Sequence, residues 1–189
     1  MLKKMPPYQI IGWAASLILV ALVFYYFQLR GGAVGGFGLG LMGVLSCTVL
    51  LMFALEVYQL VSGYQRGELF PMRNATFFVV CFSVVALPVL GVYGAVTGQT
   101  LPVSTLVLIP VFLFMAARNL FRVTINSVAL EAKTGFRAPT YVPLFDVQRV
   151  EENETGLVIR TASGPDIRLL RAFFFGSVWN RLRERLGRL

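Results

Sequence analysis

Four long apolar runs fill the first two thirds of the chain, and a polar tail whose apolar positions recur every second residue follows them. The first run, Tyr8 to Phe27, carries Trp13 and Tyr25-Tyr26-Phe27 near its ends, where amphipathic rings favour lipid headgroups. The second extends from Ala33 to Val61 behind a glycine-rich opening. The third, Ala75 to Val96, contains Pro88, and the fourth, Leu101 to Leu120, contains Pro110; both prolines predict bends. A bilayer core needs about 20 apolar residues per helix, so each run predicts a transmembrane helix. The opening Met1-Leu2-Lys3-Lys4 reads as the flank of a retained first helix, because the run behind it is long and has no small-x-small cleavage signal. Orientation follows from the short loops. One side collects Lys3, Lys4, Arg66, Arg73, Arg118 and Arg122, and the other holds Arg30 and the uncharged turn Thr97-Gly98-Gln99-Thr100. Both termini are therefore expected to be cytoplasmic.

After Phe121 the period changes from helical to alternating. Arg122–Ile125, Val128–Ala132, Thr140–Leu144, Val147–Glu151 and Leu157–Thr161 read as strands, separated by Asn126, Thr134-Gly135, Glu154-Thr155-Gly156 and Ser163-Gly164-Pro165. The final stretch, Val178 to Leu189, places Trp179, Leu182 and Leu186 on one helical face and its arginines largely on others. The expected fold is an α-helical membrane protein of four transmembrane helices (1–120) with a small C-terminal antiparallel β module (121–189) closed by an amphipathic helix. A module of about 70 residues lies near the lower limit for independent folding, so it is expected to lean on the helices, the lipid surface or a partner.

Composition narrows the chemistry. The chain has 189 residues and a net charge of +8, from 17 Lys+Arg against 9 Asp+Glu, with the basic residues almost entirely outside the apolar runs. This distribution suits a protein facing anionic lipid. In the tail, arginines alternate with acids and form no dense basic block before the last helix, so a nucleic-acid partner is not expected. The absence of histidine removes bis-His haem, His-ligated metals and Ser-His-Asp catalysis. Cys47 and Cys81 each lie inside an apolar run and read as buried small hydrophobes rather than nucleophiles or a disulfide. No cofactor or metal site is expected.

Three groups of residues stand out. Gly32, Gly36 and Gly40 recur every four residues, with Gly43 continuing near that stripe. Such a face packs tightly within a chain, or serves an intersubunit or pore-lining contact. Glu56 is the one acid within an apolar run, and an interfacial ion pair with Arg118, at the end of the fourth run, is favoured over transport chemistry. The stretch Phe173-Phe174-Phe175 follows Arg168-Leu169-Leu170-Arg171 and precedes Trp179, Arg181 and Arg185. It divides between packing under the last helix and contact with headgroups or a partner.

The motifs Phe121-Arg122-Val123-Thr124, Val128-Ala129-Leu130, Val142-Pro143-Leu144 with Val147-Gln148-Arg149-Val150, and Leu157-Val158-Ile159-Arg160-Thr161 give the last third its character. This stretch resembles the bacterial pleckstrin-homology-like domains found behind transmembrane helices. The resemblance implies a small barrel-like sheet with a C-terminal helix and an interaction or assembly role, and it supplies no catalytic residues. The expected function is a non-catalytic accessory subunit or assembly factor of the bacterial inner membrane, docking on a larger membrane complex and facing anionic lipids on the cytoplasmic side. The alternative is a small homo-oligomeric channel or transporter component built on the glycine-rich second run.

Overall fold

The computed structural model describes residues 6–98, 102–134 and 139–187. Lys3, Lys4, Gln99, Thr100 and Gly135, used above as loop and turn signals, and the side chain of Pro88 lie outside the described residues. The chain divides into two compact units, one of residues 1–58 and 80–118, the other of residues 59–79 and 119–189.

The first unit is helical. Helix α1 (Pro7–Val23) starts on Pro6-Pro7, whose fixed φ suits a first turn, and runs on as a π-helical segment, Phe24–Leu29. Gly32, with φ +85°, then turns the chain, its N–H donating to the Tyr26 carbonyl at 2.9 Å. Helix α2 (Gly36–Gln65) follows, then α3 (Ala75–Thr97) and α4 (Val103–Arg118), which holds the buried Pro110. The core joins Ala15, Leu19 and Val23 of α1 to Met42, Val49 and Met52 of α2 and to Val111 and Phe114 of α4. The spacing of the α2 residues is the i, i+3/i+4 seam of a packed helix.

The expected bundle of four transmembrane helices is corrected here. Among the described residues two helices are long and apolar enough to cross a membrane, Pro7–Leu29 and Gly36–Gln65. Only 28% and 22% of their most apolar windows are buried inside the chain, unlike the core helix of a soluble fold, and this supports a membrane-associated protein. Helix α4 has 16 residues; at 1.5 Å per residue it covers about 24 Å, short of a hydrocarbon core of about 30 Å. Helix α3 has no described residue in the helical core, and its first turn belongs to the other unit. A run of apolar residues signals an apolar helix; it does not say how much of that helix is shared with a neighbouring domain.

The second unit is a mixed helix and antiparallel β module. Strands β1 (Leu69–Pro71), β2 (Arg122–Ile125), β3 (Ala129–Lys133) and β4 (Thr140–Pro143) form one sheet in that order. Strands β5 (Val147–Asn153), β6 (Gly156–Thr161) and β7 (Ile167–Leu170) form a second. Helix α5 (Gly176–Leu186) closes the module, burying Val178, Trp179, Leu182 and Leu186, which include the three residues of its expected apolar face. The inward side chains of both sheets meet that face in one core: Val123, Ile125, Leu130 and Val142 from the first, Leu157, Ile159, Ile167 and Leu169 from the second.

Strand β1 comes from the connection between α2 and α3. It is held at both ends of its register with β2: the Ile125 N–H donates to the Glu68 carbonyl at 2.7 Å, and the Met72 N–H to the Phe121 carbonyl at 2.9 Å. Phe70 pairs with Val123 and is 2% exposed. As an edge strand, β1 tolerates Pro71, which has no ladder donor to offer.

The corner between the sheets is pinned by Asp146, in a short 3-10 turn (Leu144–Asp146) and largely buried. Its carboxylate accepts the Ser163 N–H at 3.2 Å and the Ser163 hydroxyl at 2.8 Å. Asp146→Ala strands the Ser163 amide, and a loss of about 1–2 kcal/mol of module stability is expected. Chemical denaturation followed by Trp179 emission measures it, with Ser163→Ala as the partner in a double-mutant cycle.

Candidate functional site

The glycines singled out by spacing fall in two places. Gly32 is a turn residue before α2 and does not share the helical face, which corrects its placement with the others. Gly36, Gly40 and Gly43 do share a face of α2, but a Cβ at any of them would meet nothing within 4 Å. The seam that packs is Gly38, Met42, Val49, Met52 and Glu56, on the opposite side of the helix. Close packing instead uses glycines that spacing did not single out. A Cβ at Gly38 would lie 3.0 Å from the Tyr26 ring, and one at Gly12 would lie 2.6 Å from Cζ of Phe114. Both cysteines are free and lie on faces of α2 and α3 that the chain itself does not cover.

Glu56 is 2% exposed on the packed seam of α2. Its carboxylate accepts the Tyr8 hydroxyl at 2.7 Å and the Gln9 side-chain amide at 2.9 Å. The described contact of Arg118 is with α1, its guanidinium 5.0 Å from the centre of the Trp13 ring. The first two turns of α1 thus supply polar and aromatic partners to the ends of α2 and α4. About three turns away along both helices, the Ser46 hydroxyl donates to the Val107 carbonyl at 3.4 Å, joining α2 to α4. Because Glu56 gathers two donors at a buried site, Glu56→Leu is expected to cost about 2 kcal/mol by stranding them, whereas Glu56→Gln keeps an acceptor and costs less. Thermal unfolding in detergent micelles compares the two.

The aromatic stretch of the module is split by burial. Phe174 is 5% and Trp179 4% exposed, with their rings 5.6 Å apart in the core, so neither is available for the headgroup or partner contact expected of them. The stretch alternates because Arg171–Phe173 form a 3-10 turn that ends in extended backbone at Phe174, which turns that ring inward. Phe173 remains half exposed. Its carbonyl accepts the Arg73 N–H at 2.6 Å, and Phe175 stacks 5.3 Å from Phe77 in the first turn of α3. The side chain of Asn74 caps that helix, accepting the Phe77 N–H at 3.1 Å. Arg185 and Arg181 are exposed on α5.

Two groups stand out among the arginines of the module. Arg66, Arg149, Arg160 and Arg183 face carboxylates on the surface, for example Arg183 and Glu152 at 3.3 Å. Hydrogen bonding to Asp166, together with its charge and that of Glu151, raises the already high pKa of the Arg160 guanidinium. Such exposed pairs add little stability. Arg73 and Arg181 lie over aromatic rings instead, at cation–π distances of 6.0 Å from the centre of Phe175 and 5.6 Å from that of Tyr64. Two exposed apolar residues are also prominent: Phe145, which strand periodicity did not single out, 90% exposed at the corner between the sheets, and Val128, expected to open a strand but standing 64% exposed just before β3. An exposed aromatic on a buried strand corner is legible only once the corner is known.

Among the described residues no group of three or more Cys, Asp or Glu gathers as a metal site would require. Two open hollows lie in the module, one over β5–β7 and one between β5 and α5. No protein-family model, curated protein or solved structure matches the chain.

Proposed function

We propose that the chain is a non-catalytic membrane subunit or assembly factor, anchored by apolar helices and braced by a pleckstrin-homology-like module, with both termini on the cytoplasmic side of a bacterial inner membrane. The observation that carries this reading is α3. It is an apolar helix none of whose described residues is buried, with Phe82, Val85 and Val96 well exposed, and it adds no described residue to the core of its own chain. A helix of that composition needs a hydrophobic neighbour, and a larger membrane complex supplies one. The pleckstrin-homology-like assignment is supported by the order of elements: four strands, a corner, three strands and a closing helix, with the first strand drawn from the α2–α3 connection. The exposed pair Val128 and Phe145 gives the module an apolar knob of its own.

A photoreactive residue at Val85, introduced into the full chain and irradiated in native membranes, tests the docking. Adducts with one protein of defined mass are expected; adducts confined to lipid contradict the reading. The open face of Gly36, Gly40 and Gly43 favours a second reading, a homo-oligomeric channel component. In that case the same residue placed at Gly40 yields self-adducts, and the purified chain leaks ions in liposomes.

A further inference from the structure

We propose that Arg73 and Arg181 form a receptor for the phosphates of an anionic bilayer, placed at the two points where helices enter the β module. The inference deepens the reading above and rests on α1 and α2 holding the module at a membrane.

Position comes first. Tyr64 lies in the last turn of α2, whose length and hydropathy suit a membrane crossing, so its ring marks the wet end of that helix. Arg181 of α5 covers this ring at 5.6 Å. Arg73 immediately precedes Asn74, the cap of α3, and covers Phe175 at 6.0 Å, while Phe175 itself packs on Phe77 of α3. Each arginine is thus fixed on a ring at the root of an apolar helix. In the helical unit, Arg30 over Tyr25 and Arg118 over Trp13 repeat the arrangement at other helix ends.

Availability comes second. A cation–π contact draws on the charge of the guanidinium and takes up none of its N–H donors, which stay available to acceptors such as phosphate oxygens. Both side chains are exposed, and among the described residues neither has a carboxylate within ion-pair distance. The acids closest in sequence are Glu68, five residues before Arg73, which pairs with Arg66 at 3.6 Å, and Glu184, exposed on α5 three residues beyond Arg181. Half-exposed Phe78 and Phe173 flank Arg73 and supply the apolar half of an interfacial contact. A sheet of lipid phosphate beside the end of α2 is the polyanion that these donors meet.

The test uses the full chain in nanodiscs of phosphatidylcholine, with spin-labelled phosphatidylglycerol competing against spin-labelled phosphatidylcholine for the protein surface. The wild-type chain is expected to prefer the anionic lipid, by roughly fivefold for each arginine engaged, with the preference falling as salt rises. Arg73→Gln/Arg181→Gln brings the ratio close to parity. Arg73→Lys/Arg181→Lys, which keeps the charges, retains most of it and stands as the control if the neutral variant unfolds. Parity in the wild-type chain, or a preference unchanged in a folded Gln variant, overturns the proposal. So does loss of the preference in inorganic phosphate but not in chloride of equal ionic strength, which assigns the arginines to a soluble anion. Cross-linking of these arginines to a protein, with no lipid preference, makes the surface a subunit contact and equally overturns it. No partner is present in the nanodisc, so this result is independent of the cross-linking at Val85.

Discussion

Phe70→Ala unfolds the β module while the core of α1, α2 and α4 persists. Phe70 lies between two helices, in a connection of a few residues, yet it is 2% exposed and belongs to the core that joins both sheets to α5. Removing a buried phenylalanine costs about 4 kcal/mol, comparable to the whole folding free energy of a small domain. The residues lost are also those that bind the strand: without the ring facing inward, the ladder of Leu69–Pro71 against β2 holds an edge strand of three residues, too short to persist alone. Hydrogen exchange reads the two units separately. Fast exchange throughout β2–β7 with protection kept around Leu19 and Phe114 is the expected pattern; full protection of β2 in the variant contradicts the role given to β1. By the same argument a fragment of residues 119–189 fails to fold, and a peptide covering residues 59–79, added in trans, restores it.

Gly12→Ala separates α1 from α4. The new Cβ would sit 2.6 Å from Cζ of Phe114 and about as close to the two flanking ring carbons, at 3.0 and 3.1 Å. Phe114 is itself fully buried in the helical core, so the ring has little room to swing away. Overpacking of this kind costs about 1–3 kcal/mol, and in a membrane, where small residues allow helix backbones to approach, no hydrophobic gain offsets it. Phe114→Leu shortens the opposing side chain and is expected to rescue Gly12→Ala, giving a coupling energy of about 1 kcal/mol or more in a double-mutant cycle. Gly40→Ala, on the open face, is expected to leave the melting temperature of the isolated chain unchanged. A destabilised Gly40→Ala beside a stable Gly12→Ala would reverse the assignment of the packed face.

The contrast between these glycines shows where sequence pattern ran out. Spacing identified a genuine stripe at Gly36, Gly40 and Gly43, but a helix turns 100° per residue, and periodicity does not say which stripe faces a neighbour. Gly38, two residues along, lies on the packed side. Glu56 stood out correctly as a costly buried acid. Two of its hydrogen-bond donors, Tyr8 and Gln9, depend on the rotation of α1, which periodicity does not carry. The alternation of β2 to β6 and the apolar face of α5 were legible because each buries one side of a regular element against a single core. Strand β1 was not, since three residues carry no period and Leu69-Phe70-Pro71 becomes a strand only by pairing with β2. Strand β7, Ile167–Leu170, has four residues whose outward positions are Arg168 and Leu170, so its apolar residues do not alternate cleanly with polar ones. The number of membrane spans failed for a related reason: hydropathy registers α3 and α4 as apolar without registering the length of α4 or the turn of α3 held by the module.

Affinity purification of the full chain from native membranes in mild detergent, followed by native mass measurement and protein identification, tests the central claim most directly. The account predicts stoichiometric recovery with a larger membrane complex, and loss of that complex when α3 carries a charged residue at Val85. Recovery of a homo-oligomer with no other protein attached would contradict it and move the channel reading to the front.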